Sequence, residues 1–165
     1  TGEAYFKVAK NTEHPFVVTA GELEVLVTGT TFGVRAYKDE KDIQTTLESG
    51  QVTVRVEGKS VKLVPNKQVL FNKSTMGLEV RDVDVDLYLA WADGRLVYDN
   101  CPLEKILSDL GRWYNIDVFY SRDELRSYQF SLNMKKHEEF IQVLELIGKT
   151  GEVQFEVKDN TVIVR

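Results

Sequence analysis

The hydrophobic pattern of this chain changes its period near residue 88, and no other feature constrains the fold as much. Before that point, residues 3–87 form a series of short stretches rich in β-branched and aromatic residues, with turn-forming residues between many of them. Residues 51–56 alternate strictly, which places Val52, Val54 and Val56 on one buried face of a strand. This half of the chain therefore predicts an all-β sandwich or roll.

Residues 95–165 alternate strand and helix signals instead. A strand at 95–99 precedes a helix, and Asn100 or Cys101 is predicted to cap that helix, with Pro102 in its first turn. The apolar side chains of the helix recur at i, i+3, i+4, i+7 and i+11, so they form one stripe for burial. The stripe consists of Leu103, Ile106, Leu107, Leu110 and Tyr114.

A strand at 116–120 ends this round, and a second round begins with a strand at 128–132 and a helix at 136–149. Gly148 or Gly151 is predicted to end the second helix. Its apolar stripe consists of Phe140, Val143, Leu144 and Ile147.

The last two strand signals, at 153–157 and 161–165, are joined by Lys158-Asp159-Asn160, which predicts a closing hairpin. The predicted fold class is therefore mixed, with two domains. An all-β sandwich or roll is expected at 1–89. A small α+β domain of two βαβ-like units is expected at 90–165.

Charge and hydropathy exclude two classes of protein. The formal net charge of −5 and the pI near 5.2 argue against nucleic-acid binding, which needs clustered Lys and Arg. No apolar run approaches the roughly 18 residues that a membrane-spanning helix requires. Thr1-Gly2-Glu3 opens directly into strand-like sequence without a signal peptide, so we expect a soluble fragment of a longer parent.

The lone Cys101 excludes an internal disulfide and a multi-cysteine zinc site. As a nucleophile it would need a neighbouring base, and His14 and His137 are the only histidines. We favour the simpler interpretation, in which Cys101 is a small residue at the start of a helix.

The stretch at 78–86 alternates and changes phase near Arg81 and Asp82, and Asp82, Asp84 and Asp86 occupy alternate positions in its second half. The phase change predicts a β-bulge. A calcium loop needs a sharp turn and carbonyl ligands, so the three carboxylates are expected to line a solvated face rather than bind a metal.

The remaining candidates for chemistry are weak. Pairs of carboxylates can be drawn almost anywhere among 26 acidic residues, so they do not single out a hydrolase. Trp91 and Trp113 can stack on a sugar, but packing in the core or at a domain junction is the simpler role. The sequence therefore predicts a protein without catalytic residues, metal or cofactor.

Six segments of the chain carry motifs of a known family. They are GEAYFKV at 2–8, VTGTTFGVRAY at 27–37, LESGQV at 47–52, LVPNKQ at 63–68, AWADGRL at 90–96 and LGRWY at 110–114. Together, and in this order, they resemble FecR-type domains from Bacteroidetes. Asn66 stands where that family usually has Gly.

The resemblance implies the periplasmic region of a single-pass inner-membrane anti-sigma factor. Its cytoplasmic part, outside this sequence, would hold an extracytoplasmic-function sigma factor. The periplasmic part would receive a signal from the N-terminal signalling domain of an outer-membrane TonB-dependent transporter. The C-terminal domain of the family resembles the short domain of secretins and TonB-dependent transporters, which agrees with the strand–helix repeat.

Docking to the transporter is expected at an exposed strand edge, where main-chain hydrogen bonds supply affinity. The strand at 95–99 and the terminal hairpin at 153–165 are the candidate edges. The predicted partner-binding residues are Arg95, Leu96, Val97, Tyr98, Asp99, Val162 and Val164.

An alternative function is a periplasmic module that binds a glycan or cell-wall ligand through exposed aromatic side chains. An apolar groove edged by Trp91, Tyr98 or Tyr120 would favour this alternative, and full burial of these rings would count against it.

Overall fold

The computed structural model of the chain describes residues 1–135 and 140–165. The chain forms two compact units, Thr1–Asp93 and Gly94–Arg165. The assignment of separate functional domains to 1–89 and 90–165 remains a prediction.

The first unit is a β-sandwich of nine strands, as the short alternating stretches predicted. A five-stranded antiparallel sheet has the order β1-β4-β5-β8-β9, and a four-stranded antiparallel sheet has the order β2-β3-β6-β7. The strands are β1 Gly2–Lys7, β2 Phe16–Ala20, β3 Leu23–Val27, β4 Thr31–Ala36, β5 Asp42–Ser49, β6 Val52–Val56, β7 Lys59–Leu63, β8 Lys67–Asn72 and β9 Gly77–Asp82.

Alternation along the strands places apolar side chains between the two sheets. Val52, Val54 and Val56 are buried there, as predicted. Phe6 stacks on Phe32 with ring centroids 5.0 Å apart, which extends the core toward the edge strand β1. One continuous apolar layer therefore holds the two sheets of the sandwich together.

The outer face of the five-stranded sheet carries a short helix, α1 Asp86–Leu89, which continues into a 3-10 turn at Ala90–Asp93. Buried Leu89 packs on Gly33, where an added Cβ would lie 2.3 Å from Leu89 Cδ2. The predicted bulge at Arg81 and Asp82 is wrong. Strand β9 keeps its register with β8 to its end at Asp82, and the phase changes because the strand stops there.

The second unit alternates strands and helices in the predicted order. Its elements are β10 Arg95–Pro102, α2 Leu103–Tyr114, β11 Asp117–Tyr120, a 3-10 turn at Asp123–Ser127, β12 Gln129–Lys135, α3 Ile141–Gly148, β13 Phe155–Lys158 and β14 Thr161–Val164. The predicted mixed fold class is confirmed.

Each strand of the first strand–helix–strand round pairs with a strand of the second round. β10 pairs antiparallel with β12 of the second round, while β11 pairs parallel with β14. β13 pairs antiparallel with β14, which gives a three-stranded sheet of order β11-β14-β13. Each helix therefore leads from one sheet of the unit into the other, and both sheets share one apolar core.

Helix α2 buries the predicted apolar stripe, of which Leu103, Ile106, Leu107 and Leu110 are fully buried. The predicted cap is wrong, because β10 continues through Cys101 and Pro102 and the helix begins one residue later than expected. Pro102 holds the N-cap position without a capping side chain, and the Leu103 N–H donates to the Tyr128 carbonyl at 2.7 Å. Asn115 ends the helix in the left-handed conformation, with φ of 53°.

Helix α3 ends at Gly148, one of the two predicted positions. The first part of the predicted helix, residues 136–139 with His137, lies outside the described residues. In the part of the chain that the structure describes, no helix is long and apolar enough to cross a membrane.

Candidate partner-binding site

The predicted docking strand lies in a two-stranded ribbon, where β10 pairs with β12 and with no other strand of the described residues. Leu96 is buried and Tyr98 packs against the core, so both side chains point inward. Because side chains alternate along a strand, Arg95, Val97 and Asp99 lie on the opposite face. The outer edge of β10 offers main-chain groups to an incoming strand.

A buried carboxylate ties this ribbon to helix α2. Asp109 is 3% exposed and accepts a hydrogen bond from the Tyr98 hydroxyl at 3.1 Å. Lys105 contacts the same carboxylate, and Arg112 lies 3.6 Å from its second oxygen. A buried charge needs such partners to offset its desolvation. The cluster therefore fixes the inner face of β10. On the outer face, Arg95 and Val97 are half-buried and Asp99 is exposed.

A β-bulge interrupts the ribbon between Tyr98 and Cys101. Asn100 takes a φ of 43°, and its N–H donates to Ser131 Oγ at 2.8 Å. The Ser131 hydroxyl in turn donates to Asp99 Oδ1 at 3.1 Å. A bulge re-aims the side chains of an edge strand and limits the regular part of the edge to residues 95–98.

The structure does not place Val162 and Val164 at an edge. Both lie on β14, the central strand of the three-stranded sheet, and both are fully buried. Their main chain is occupied by β11 on one side and β13 on the other. The outer strand of the terminal hairpin is β13, so within the described residues β13 carries the edge of the hairpin that an incoming strand can reach.

Cys101 does not have the lowered pKa that activates a catalytic thiol. Burial raises the pKa of Cys101, an effect that the positive charge of Lys105 only partly offsets. A protonated thiol is a poor nucleophile. His14 is an exposed residue of the other compact unit, and His137 lies outside the described residues.

Three acidic residues of the first unit, Asp82, Asp84 and Asp86, do not form a metal-binding cluster. Asp82 ends β9, Asp86 begins α1, and both are exposed, as is Asp84 between them. Within residues 1–135 and 140–165, no group of three or more His, Cys, Asp or Glu side chains is placed to hold a metal ion.

The aromatic side chains that the ligand-binding alternative requires are half-buried and held within their own units. The Trp91 N–H donates to the Tyr88 carbonyl at 2.8 Å. Trp113 packs on the core of the second unit, and the Tyr98 hydroxyl is bonded to Asp109. Arg126 covers the Tyr120 ring at 4.1 Å from its centroid. These contacts favour packing roles for the four rings.

We predict that Tyr120 makes the second unit less stable at alkaline pH. Burial raises the pKa of Tyr120 to about 12, partly opposed by Arg126. The folded state therefore keeps a proton that the unfolded state loses near pH 10, so stability falls as the pH rises from about 10 toward 12. We expect Tyr120→Phe to reduce this fall in thermal unfolding measured between pH 8 and 11.5. An unchanged pH profile in the variant would contradict the assignment to Tyr120.

Comparison with known proteins identifies the family. The model of the family described as "FecR protein" matches residues 1–53, and that of "FecR, C-terminal" matches residues 95–164. The chain belongs to the FecR family. The resemblance drawn from the motifs is therefore confirmed, and with it the prediction of a regulatory, non-enzymatic protein.

Two crystal structures share the fold of this FecR-family chain. Both are of proteins from Parabacteroides distasonis ATCC 8503, provisionally described as anti-sigma factors and solved at 1.65 and 2.50 Å resolution. The first has a TM-score of 0.83 at 22% identity, and the match spans 99% of this chain and 77% of the chain in that crystal structure. The second has a TM-score of 0.82 at 23% identity, with 99% and 76% covered. No curated protein matches the sequence.

The structure explains one departure from the FecR motifs. Asn66, which stands where Gly is usual, takes a φ of 64°. Asn is the residue other than Gly that most readily adopts this left-handed conformation. The Asn66 N–H donates to the Leu47 carbonyl at 3.0 Å, and the Val83 N–H donates to the Asn66 carbonyl at 3.0 Å. The turn is therefore kept with a different residue.

Proposed function

We propose that this FecR-family chain is the periplasmic signal-receiving region of a membrane-anchored anti-sigma factor. The parent protein holds an extracytoplasmic-function sigma factor through a cytoplasmic part outside this sequence. The Gly94–Arg165 unit binds the N-terminal signalling domain of a TonB-dependent transporter. The state of the transporter then biases the conformational equilibrium of the regulator.

One observation carries the proposal: both FecR family models match in order along one chain whose whole fold resembles proteins described as anti-sigma factors. The second unit also has the features of a recognition module. Its ribbon strand β10 has an open edge in the described residues, and the Tyr98–Asp109 contact holds that strand in place.

The proposed contact uses the outer face and edge of β10, formed by Arg95, Val97 and Asp99. Leu96 and Tyr98 hold the strand from its inner face. Strand addition would bring main-chain hydrogen bonds from the edge, and the outward side chains would select the partner.

Calorimetric titration of this chain with a purified signalling domain of the transporter encoded beside it tests the proposal. We expect one-to-one binding, and we expect Val97→Glu to weaken it about tenfold or more, because a charge would be desolvated in the contact. The matched control is Phe119→Ser, which changes a side chain 61% exposed on the other sheet.

No binding by the unmodified chain would refute the transporter as partner. If Phe119→Ser weakens binding and Val97→Glu does not, the transporter is still the partner, but the contact lies on the three-stranded sheet.

A further inference from the structure

Among residues 1–135 and 140–165, no strand pairs with the outer edge of β13, and the register of its main-chain groups follows from its pairing with β14. Gln154 and Arg165 exchange both main-chain hydrogen bonds across the hairpin, at 2.8 and 2.9 Å. Hydrogen-bonded and non-bonded pairs alternate in an antiparallel ladder. The main-chain groups of Glu156 therefore face β14, and those of Phe155 and Val157 point to the open edge.

A groove of mixed polarity lies between this edge and helix α3. Its apolar walls are Ile141, Leu144 and Gly148 on the helix side and Phe155 and Val157 on the strand side, and Glu145 and Gln154 also line it. Ile141 is 39% exposed and Val157 is 37% exposed, which is high for large apolar side chains. The edge and the groove together fit a partner that brings both a strand and apolar side chains above it.

The charges on β13 restrict which strand can pair there. Glu156 and Lys158 flank Val157 and are held by each other at 2.7 Å, and Arg165 also contacts Glu156. A Lys on an edge strand discourages pairing unless the partner strand places an opposite charge across from it. A complementary antiparallel strand must therefore carry acid, any residue, base, in that order.

Strand β13 itself has this order, Glu156-Val157-Lys158. We propose that a second copy of this chain pairs its β13 with this edge, antiparallel and two-fold symmetric about Val157. Glu156 of each copy then lies opposite Lys158 of the other. The two-fold axis is perpendicular to the sheet, so both α3 helices lie on one face and Ile141 of each copy is covered.

Edge strand β9 has a similar order, Glu79-Val80-Arg81, but its basic residue, Arg81, already makes hydrogen bonds to other elements. The Arg81 guanidinium donates to Gln68 Oε1 at 2.9 and 2.6 Å and to the Tyr88 hydroxyl at 2.9 Å. Lys158 also has a partner, since it forms a 2.7 Å ion pair with Glu156 of its own strand. Its side chain is 66% exposed, however, and can turn to a second strand without breaking a contact to another element, so β13 is the better candidate for self-pairing.

Charge reversal and charge exchange test the pairing in the 165-residue chain by sedimentation equilibrium from about 10 μM to about 1 mM. We expect a monomer–dimer equilibrium in the unmodified chain. Glu156→Lys alone and Lys158→Glu alone place like charges opposite each other and weaken the dimer about tenfold or more. The double exchange variant restores complementarity and returns the dissociation constant to within about threefold.

Lys62→Glu is the control, since Lys62 is an exposed residue of edge strand β7 in the other unit, and it leaves the dimer unchanged. Thermal unfolding of each variant verifies folding. A monomer at every concentration, single variants that dimerise normally, or an exchange variant that fails to recover would each overturn the proposal. None of these results depends on the transporter.

Discussion

Gly50→Ala is expected to destabilise the first unit by about 3 kcal/mol or more. Gly50 has a φ of 89°, and an added Cβ would lie 2.5 Å from the Gly29 carbonyl oxygen and 3.0 Å from Thr30 Cα. Both neighbours are backbone atoms, so no side-chain rotation relieves the overlap. The measurement is the free energy of unfolding from urea denaturation.

This glycine lies where the chain passes from β5 in one sheet to β6 in the other. Gly29 and Thr30 make the reverse passage from β3 to β4, and the Thr30 hydroxyl donates to the Gln51 carbonyl at 2.8 Å. The two FecR motifs around Gly29 and Gly50 are therefore in contact at one corner of the sandwich. A side chain at Gly50 would separate the two passages.

Gly58→Ala is the matched control for this prediction. Gly58 also has a positive φ, 76°, but nothing lies within 4 Å of an added Cβ. We expect a cost of about 1–2 kcal/mol from the left-handed backbone alone. Equal effects at Gly50 and Gly58 would contradict the close backbone approach.

Leu110→Ala is expected to destabilise the second unit by about 2–5 kcal/mol. Leu110 is fully buried in the helix stripe of α2, at the centre of a core shared by both sheets. Removing its isobutyl group loses apolar burial and leaves a cavity that the rigid surroundings fill only in part. Because total stabilities are about 5–15 kcal/mol, such a loss is a large fraction of the whole.

Leu146→Ala is its control, since Leu146 lies on helix α3 and is 43% exposed. A change within about 0.5 kcal/mol is expected there. Urea denaturation followed by circular dichroism compares the two variants. A cost at Leu110 no greater than at Leu146 would contradict its central place in the core.

Local sequence patterns were sufficient to predict most strands and helices and to identify the family. Period-two alternation predicted the sandwich strands, such as β6, because only one face of each is buried. The i, i+3, i+4, i+7 spacing from Leu103 to Leu110 predicted helix α2. The helix start was missed because β10 continues through Pro102, and pairing with β12 stabilises those last residues.

The sequence by itself determined the apolar faces of elements such as β6 and α2, where most strands and helices occur, and the FecR motifs that identify the family. Only the tertiary structure decided which strands are neighbours. Alternation specifies the face of a strand but not its partner, since hydrogen bonding along the edge is independent of side chains. Thus Val162 and Val164 were correctly read as strand residues, yet the central position of β14 removes them from any edge.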